Sequence, residues 1–189
     1  MLAVDNPYTI TPDTWIISDT HFLQQNIGKY CSQSKDWQEL IIKNRNDRIS
    51  PGDTVLHLGD FALVKKIYFE LLTGILNGKL FLFLSNHDRL SQTYCEPHGV
   101  TLIKNSIRRI LNLQINLIFS DRPVVPLENG WINRHGDIHN IPPPPESSNL
   151  GPNHLSMSIE ARESRPWRLK DIINPVRNQV DRQIGNAFS

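Results

Sequence analysis

The sequence predicts a mixed α/β domain with a largely parallel sheet. Three short apolar runs of strand length alternate with two segments whose apolar residues recur at helical spacing, in the order strand, helix, strand, helix, strand. Each apolar run stops abruptly at acidic, imidazole or amide side chains. Strand carboxyl ends in such domains commonly carry ligand-binding and catalytic groups. The three runs are residues 15–18, 54–58 and 79–84.

Two helices are predicted between these strands. The first begins at about Asp36, a residue type that often caps helices, and ends before the turn residues 50–53. The second covers about 63–76 and is closed by Asn77-Gly78. Its apolar stripe consists of Leu63, Ile67, Leu71 and Ile75, widened by Leu72 and Leu76.

From Val100 onward the pattern changes to consecutive short strands, predicted over 101–103, 107–113, 115–119, 131–135 and 155–159. Short helices are predicted near 90–96 and 169–173. The proline run 142–145 indicates a stiff surface loop. The whole chain, 1–189, is interpreted as a single domain, with a terminal helix or a frayed tail at about 175–189.

Composition argues against several classes of protein. The 189 residues suffice for a substantial core, and 20 Lys and Arg against 19 Asp and Glu give a net charge of +1. That balance gives no indication of a nucleic-acid or anionic membrane partner. No apolar run approaches the ~20 residues that span a bilayer, and residues 1–12 lack the pattern of a secretory signal. We therefore expect a cytoplasmic protein, in which Cys31 and Cys95 are free thiols.

The polar residues at the strand ends are those that bind divalent metals. Carboxylate, imidazole and amide oxygen together suit Mn, Fe, Zn or Mg, and two such ions can clamp a phosphoryl group and activate a water. Two Asp-x-His pairs have period two, so each pair, if extended, directs its side chains to one side. The candidate residues are Asp19, His21, Asp60, Asn86, His87, Asp121, Asp137 and His139.

Five motifs in this order resemble the calcineurin-like metallophosphoesterases, in particular small bacterial and phage members. The likeness extends to about Trp167, because residues 156–166 also resemble the closing strand of those proteins. The motifs are Asp19-Thr20-His21, Gly59-Asp60, Asn86-His87-Asp88, Ser120-Asp121-Arg122-Pro123 and His135-Gly136-Asp137-Ile138-His139.

The resemblance implies a two-sheet β-sandwich flanked by α-helices, with two divalent metal ions, Mn or Mg, at the strand ends. Fe or Zn could occupy the first site. It implies Asp19, His21 and His139 as ligands of the first ion, with Asp60 bridging. The second ion would take Asp60, Asn86, Asp121 and Asp137. His87 would stabilise the transition state or protonate the leaving oxygen, and Asp88 would orient it.

The chain departs from the family pattern at the second metal site. Asp121 and Asp137 stand where the family has histidine, Ser85 stands where it usually has glycine, and Gln24 or Gln25 falls where close relatives often have another histidine. On one interpretation the second site becomes all-oxygen and favours Mg²⁺, Mn²⁺ or Ca²⁺, with slower hydrolysis. On the other, the site has decayed and the protein holds one metal or none. If the strand stayed extended, His135 could become a ligand.

The function expected from this resemblance is hydrolysis of small phosphomonoesters or phosphodiesters by a metal-activated hydroxide. Arg122 is a candidate substrate-binding residue, because it follows Asp121 directly and a guanidinium suits phosphate oxygens. The alternative is a catalytically weak or inactive protein of the same fold that binds a phosphorylated ligand or a protein partner. A nuclease is less well supported, since there is no aromatic and basic stripe. The oligomeric state does not follow from the sequence.

Overall fold

The structure is a computed structural model that describes residues 10–24, 36–62, 66–85, 90–104, 107–111, 115–139 and 150–173. Its first sheet has the strand order β4-β3-β2-β1-β9. The first four strands in sequence that form it are parallel, as predicted, and β9 is antiparallel to β1. The strands are β1 (Trp15–Ile17), β2 (Thr54–His57), β3 (Lys79–Phe83), β4 (Val100–Ile103) and β9 (Trp167–Arg168).

A second sheet has the order β5-β6-β7-β8. Strands β5 and β6 are antiparallel, whereas β6, β7 and β8 run parallel to one another. The predicted strand over 155–159 is shorter and begins earlier; residue Ser158 instead pairs with Ser18 beyond the end of β1, which joins the two sheets. The strands are β5 (Ile107–Leu111), β6 (Ile115–Ser120), β7 (Trp131–His135) and β8 (His154–Ser156).

Helices cover the first sheet. They are α1 (Trp37–Asn46), α2 (Lys66–Ile75) and α3 (Gln92–Cys95), with 3-10 turns at Glu96–His98 and Glu160–Arg162. The predicted helix near the end of the chain is present over 169–173. Asp36 does precede α1, but its side chain makes no capping hydrogen bond. No helix in the described ranges is long and apolar enough to cross a membrane. The predicted tail 175–189 and proline loop 142–145 lie outside the described residues.

The apolar stripe predicted for α2 is largely exposed. Ile67, Leu71 and Ile75 are 53–60% accessible to solvent, whereas Phe69 and Leu72 face the core. The ring of Phe69 packs edge-on against Phe61, which fixes the rotation of the helix. Helical spacing alone does not determine which face of α2 is buried. The packing of the Phe69 ring on Phe61 determines it.

Two apolar clusters explain why the strand sequences are unbroken apolar runs. One cluster lies between the helices and the first sheet and includes Trp15, Ile17 and Val55. The other contains Ile16 and Leu56 together with side chains of β6 and β7, and so lies between the two sheets. Strands buried on both faces have no polar alternation. Cys95, at the end of α3, is a buried thiol, and Cys31 lies outside the described residues.

The carboxyl ends of strands from both sheets meet at Gly59 and Gly136. A Cβ atom on Gly136 would lie 2.3 Å from Ser18 Oγ and 2.7 Å from the Leu58 carbonyl oxygen, so only glycine fits there. Gly59 has a φ of +101°, and a Cβ on it would lie 3.1 Å from Asp121 Cβ. The close approach brings the polar strand ends of both sheets to one place.

Candidate metal centre

The loops after β1 and β2 are joined by backbone hydrogen bonds. The amide of Asp19 donates to the Gly59 carbonyl at 3.1 Å, and the amide of His21 donates to the Asp60 carbonyl at 2.9 Å. Asp19, His21 and Asp60 are all buried, at 5% exposure or less. Three predicted metal ligands are therefore held side by side on a fixed backbone.

Four predicted ligands have left-handed backbone conformations. Their φ values are +56° for Asp19, +42° for His21, +52° for Asp60 and +67° for Asp137. This region is uncommon for residues other than glycine, and such strained residues concentrate at functional sites. The two Asp-x-His pairs are consequently not extended, and their side chains are brought together by backbone turns rather than by strand periodicity.

Among the described residues, Asp19, His21 and His139 form a cluster that could hold a metal ion. One ligand atom from each lies within 4.8 Å of the others. The Nε2 atoms of the two histidines are 3.2 Å apart, and His21 Nε2 is 3.7 Å from Asp60 Oδ2. Asp60 thus lies at the edge of the cluster, and its predicted bridging role stays a prediction.

Both imidazole rings are anchored through Nδ1. His21 Nδ1 donates to Gln24 Oε1 at 2.8 Å, and His139 Nδ1 is 3.1 Å from the carboxylate of Glu160. The acceptor on His21 Nδ1 keeps the proton there and leaves the Nε2 lone pair for a metal, and the charge of the Glu160 carboxylate favours a proton on His139 Nδ1. Two lone pairs facing each other at 3.2 Å repel, so a proton or a cation between the rings stabilises the arrangement.

The electrostatics of the cluster also favour a cation. Burial raises the pKa of Asp19 to about 8. Its Oδ1 accepts from the Asp137 amide at 2.9 Å, and its Oδ2 is buried without a hydrogen-bond partner within the described ranges. Burial lowers the pKa of His21; it also acts to lower that of His139, but Glu160 and Asp19 outweigh it and the pKa is raised. A metal ion would keep Asp19 ionised and satisfy Oδ2.

Asp121 and Asp137 lie beside this cluster but are arranged around an arginine. Arg122 Nε is 3.8 Å from Asp121 Oδ2 and 3.8 Å from Asp137 Oδ2. Burial raises the pKa of Asp121, while Arg122 acts to lower it. In the described part of the chain, neither carboxylate belongs to a group of three or more His, Cys, Asp or Glu that could hold a metal ion.

The strand end at residues 86–88 lies outside the described residues, so the predicted roles of Asn86, His87 and Asp88 stay predictions. Ser85, the residue before them, is described. Its hydroxyl donates to Asp60 Oδ1, which links the end of β3 to the end of β2. Ser85 therefore orients a candidate bridging carboxylate.

His135 does not belong to the candidate metal cluster found among the described residues. Strand β7 ends at His135, and the left-handed Asp137 means that the extended arrangement required to bring His135 to the metals does not occur. Its Nδ1 instead donates to the Gly136 carbonyl at 2.9 Å, and burial lowers its pKa to about 4. His57 is a buried core histidine whose Nε2 lies 3.0 Å from Thr20 Oγ1.

Comparisons with known proteins find an uncharacterized relative and a solved structure of similar fold. No protein-family model matches the chain. It is 38% identical over 87 residues to the uncharacterized protein MJ1445 of Methanocaldococcus jannaschii, which is 42% of this chain and 49% of that protein. The chain thus spans about half the length of this curated relative.

A solved structure has a similar fold. The crystal structure of the protein of unknown function AQ665 from Aquifex aeolicus matches with a TM-score of 0.67 and 19% sequence identity, covering 85% of this chain and 97% of that one. At this identity the likeness shows the fold alone. The fold is mixed α/β, with sheets flanked by helices.

Glu160 is the site residue that sequence reasoning missed. It lies on a 3-10 turn after β8, and its side chain is 7% exposed. No motif distinguishes it, since it belongs to a segment without periodicity. Gln24 was noted only as a departure from the family pattern, whereas the structure places its amide oxygen on His21.

Proposed function

We propose that this protein is a metal-dependent phosphoesterase of the calcineurin-like type. The observation that carries the proposal is the cluster at the strand ends. Two imidazole Nε2 atoms and a buried carboxylate converge within 4.8 Å, with both rings anchored through Nδ1. Buried groups arranged in this way are costly without a cation and are typical of metal sites.

The fold supports the same proposal. Two sheets share an apolar core, helices cover the first sheet, and the cluster lies where the ends of both sheets meet. The resemblance of the motifs implies two sheets flanked by helices, and this mixed α/β arrangement supports the proposal. The fold likeness to a protein of unknown function adds no activity, so the family rests on the motifs and the cluster.

The residues fit a metal of the first transition series. Two imidazole nitrogens and a carboxylate suit Fe, Zn or Mn, and Mn²⁺ or Mg²⁺ are the ions proposed for the activity. A bound ion would lower the pKa of a water and polarise a phosphoryl oxygen. Asp19, His21 and His139 would hold it, and Asp60 would approach from the side of His21.

The remaining steps fall to side chains around the cluster. His87 is proposed to protonate the leaving oxygen. Arg122 carries a fixed positive charge at the open edge of the site, with its side chain 51% exposed, and is proposed to contact the phosphoryl group. The substrate class is a small phosphorylated molecule. No feature of the described residues selects monoesters over diesters.

The direct test compares Asp60→Ala with the wild-type protein. In Mn²⁺ buffer the variant should lose hydrolysis of p-nitrophenyl phosphate and bis(p-nitrophenyl) phosphate, and its metal content should fall. Asp36→Ala is a matched control, because Asp36 is exposed and its side chain caps nothing. Full activity in Asp60→Ala, or none in the wild type with either ester, would refute the proposal.

A second candidate is a protein that binds a phosphorylated ligand or a protein partner without turnover. The observation favouring it is the position of Arg122 between Asp121 and Asp137, where a second metal ion was predicted. A panel of phosphoesters separates the candidates when combined with metal counting by plasma mass spectrometry. Bound metal with no turnover of any ester would favour the binding role.

A further inference from the structure

In the described part of the chain, the two aspartates predicted to bind the second metal ion lie around an arginine instead. Asp121 and Asp137 each place Oδ2 3.8 Å from the Nε of Arg122. A guanidinium is charged at every pH at which the protein folds. A cation of the chain itself therefore lies between the two carboxylates that would otherwise attract a metal.

The backbone fixes this arrangement next to the first metal site. Asp121 packs on Gly59 and Gly136: a Cβ on Gly59 would lie 3.1 Å from Asp121 Cβ, and a Cβ on Gly136 would lie 3.0 Å from the Asp121 carbonyl oxygen. Gly59 directly precedes Asp60. On the other side, the Asp137 amide holds Asp19. Arg122 is thus placed by two residues that touch the metal-ligand loops.

The two carboxylates attract the guanidinium and hold it at the edge of the centre. A separation of 3.8 Å is too long for a hydrogen bond, so these two contacts act through charge. About half of the Arg122 side chain is exposed, so a ligand can reach it. The planar fork of N–H groups matches the oxygens of a phosphoryl group.

We propose that Arg122 takes the place of the second metal ion. The centre binds one divalent cation, and Arg122 holds an oxygen of the phosphoryl group beside it. The inference rests on the proposed phosphoesterase function. It identifies Arg122 as a substrate-binding residue and gives a reason for the aspartates at 121 and 137: they hold a guanidinium in place where histidines would hold a metal.

Two measurements on the full-length protein test the inference. Equilibrium dialysis with Mn²⁺ counts bound ions, and calorimetric titration of the Mn²⁺-loaded protein with inorganic phosphate measures affinity. We expect one equivalent of Mn²⁺ in the wild type and in Arg122→Met. We expect phosphate to bind Arg122→Met about tenfold more weakly or worse, the effect of losing one charge-assisted hydrogen bond. Arg122→Lys, which keeps the charge without the fork, should recover part of the affinity.

Arg165→Met is the matched control. Arg165 is exposed to a similar degree, 49%, and pairs with Glu163 rather than with the centre. Two equivalents of Mn²⁺ in the wild type would overturn the inference and leave the phosphoesterase proposal standing. Equal phosphate affinity in Arg122→Met and Arg165→Met would overturn the role of Arg122. No bound Mn²⁺ in the wild type would overturn both proposals.

Discussion

Replacing Glu160 by glutamine should weaken binding of the first metal ion about 10- to 100-fold, or about 1.4 to 2.7 kcal/mol. The carboxylate is 3.1 Å from His139 Nδ1, and its side chain is 7% exposed, so little solvent screens the pair. Glutamine keeps the size of the side chain but removes the charge. His139 then loses the partner that raises its pKa and increases the basicity of its Nε2.

The assay is competition for Mn²⁺ with a fluorescent chelator at pH 7.5, together with urea unfolding of the metal-free protein. Glu163→Gln is the control, because Glu163 lies three residues further along with its side chain 81% exposed. We expect the Glu160→Gln variant to lose metal affinity while the stability of its metal-free form changes little. An affinity within twofold of that of Glu163→Gln, or a loss of stability with unchanged affinity, would refute the positioning role.

Three further predictions follow from groups around the joint of the sheets. Gly136→Ala should destabilise the protein by about 1–3 kcal/mol in urea unfolding, because its Cβ would lie 2.3 Å from Ser18 Oγ. Gly74→Ala should stabilise it by about 0.5–1 kcal/mol, because Gly74 lies in open space on α2. A change of the same sign in both variants would contradict the packing argument. Burial lowers the pKa of His57 well below 6.5, so the unfolded chain gains a proton that the folded protein excludes, and the stability contributed by His57 is full above pH 6.5 and lost as the pH falls below it. Urea midpoints between pH 7 and pH 5 should fall less in His57→Gln than in the wild type, and parallel slopes would exclude this cause. Because burial raises the pKa of Asp19 to about 8, Mn²⁺ binding at pH 7 should release a proton from Asp19. Titration calorimetry in two buffers should show that Asp19→Asn releases fewer protons than the wild type. An equal number of protons from both proteins would show that Asp19 is already ionised.

The strand framework could be predicted because its physical cause is local. Strands covered on both faces are continuous apolar runs, and Trp15 to Ile17 and Val55 to Leu56 are buried in this way. Strand β9 was missed because two residues, Trp167 and Arg168, are too few to show a period. It forms through pairing with β1, and the Arg168 guanidinium lies 4.7 Å from the ring of Trp15.

The ligand cluster was predictable in composition but not in geometry. The motif order indicated Asp19, His21 and His139, which the structure brings together. The expected mechanism, extended Asp-x-His pairs, was wrong, because the turns that aim these side chains are left-handed. The turns lie where the two sheets approach closely at Gly136, and no local pattern encodes that approach.

The contacts of the charged residues Glu160 and Arg122 with His139 and Asp137 could likewise not be predicted from the sequence. Each of these two contacts joins residues more than a dozen positions apart in the chain. His139 and Glu160 are separated by 21 residues. Sequence spacing gives no distance for such pairs, so the contacts of Glu160 with His139 and of Arg122 with Asp137 emerge only from the folded chain.

The left-handed backbone of the predicted ligands sets the stability of the protein against its capacity to bind a metal. Asp19, His21, Asp60 and Asp137 each occupy a backbone region that costs about 1–3 kcal/mol for a non-glycine residue. Glycine at Asp60 would relieve that cost and remove the carboxylate. A laboratory selection for heat resistance alone should therefore replace these four residues first. A selection that also demands metal binding should retain them, and stabilising substitutions should then appear elsewhere in the protein.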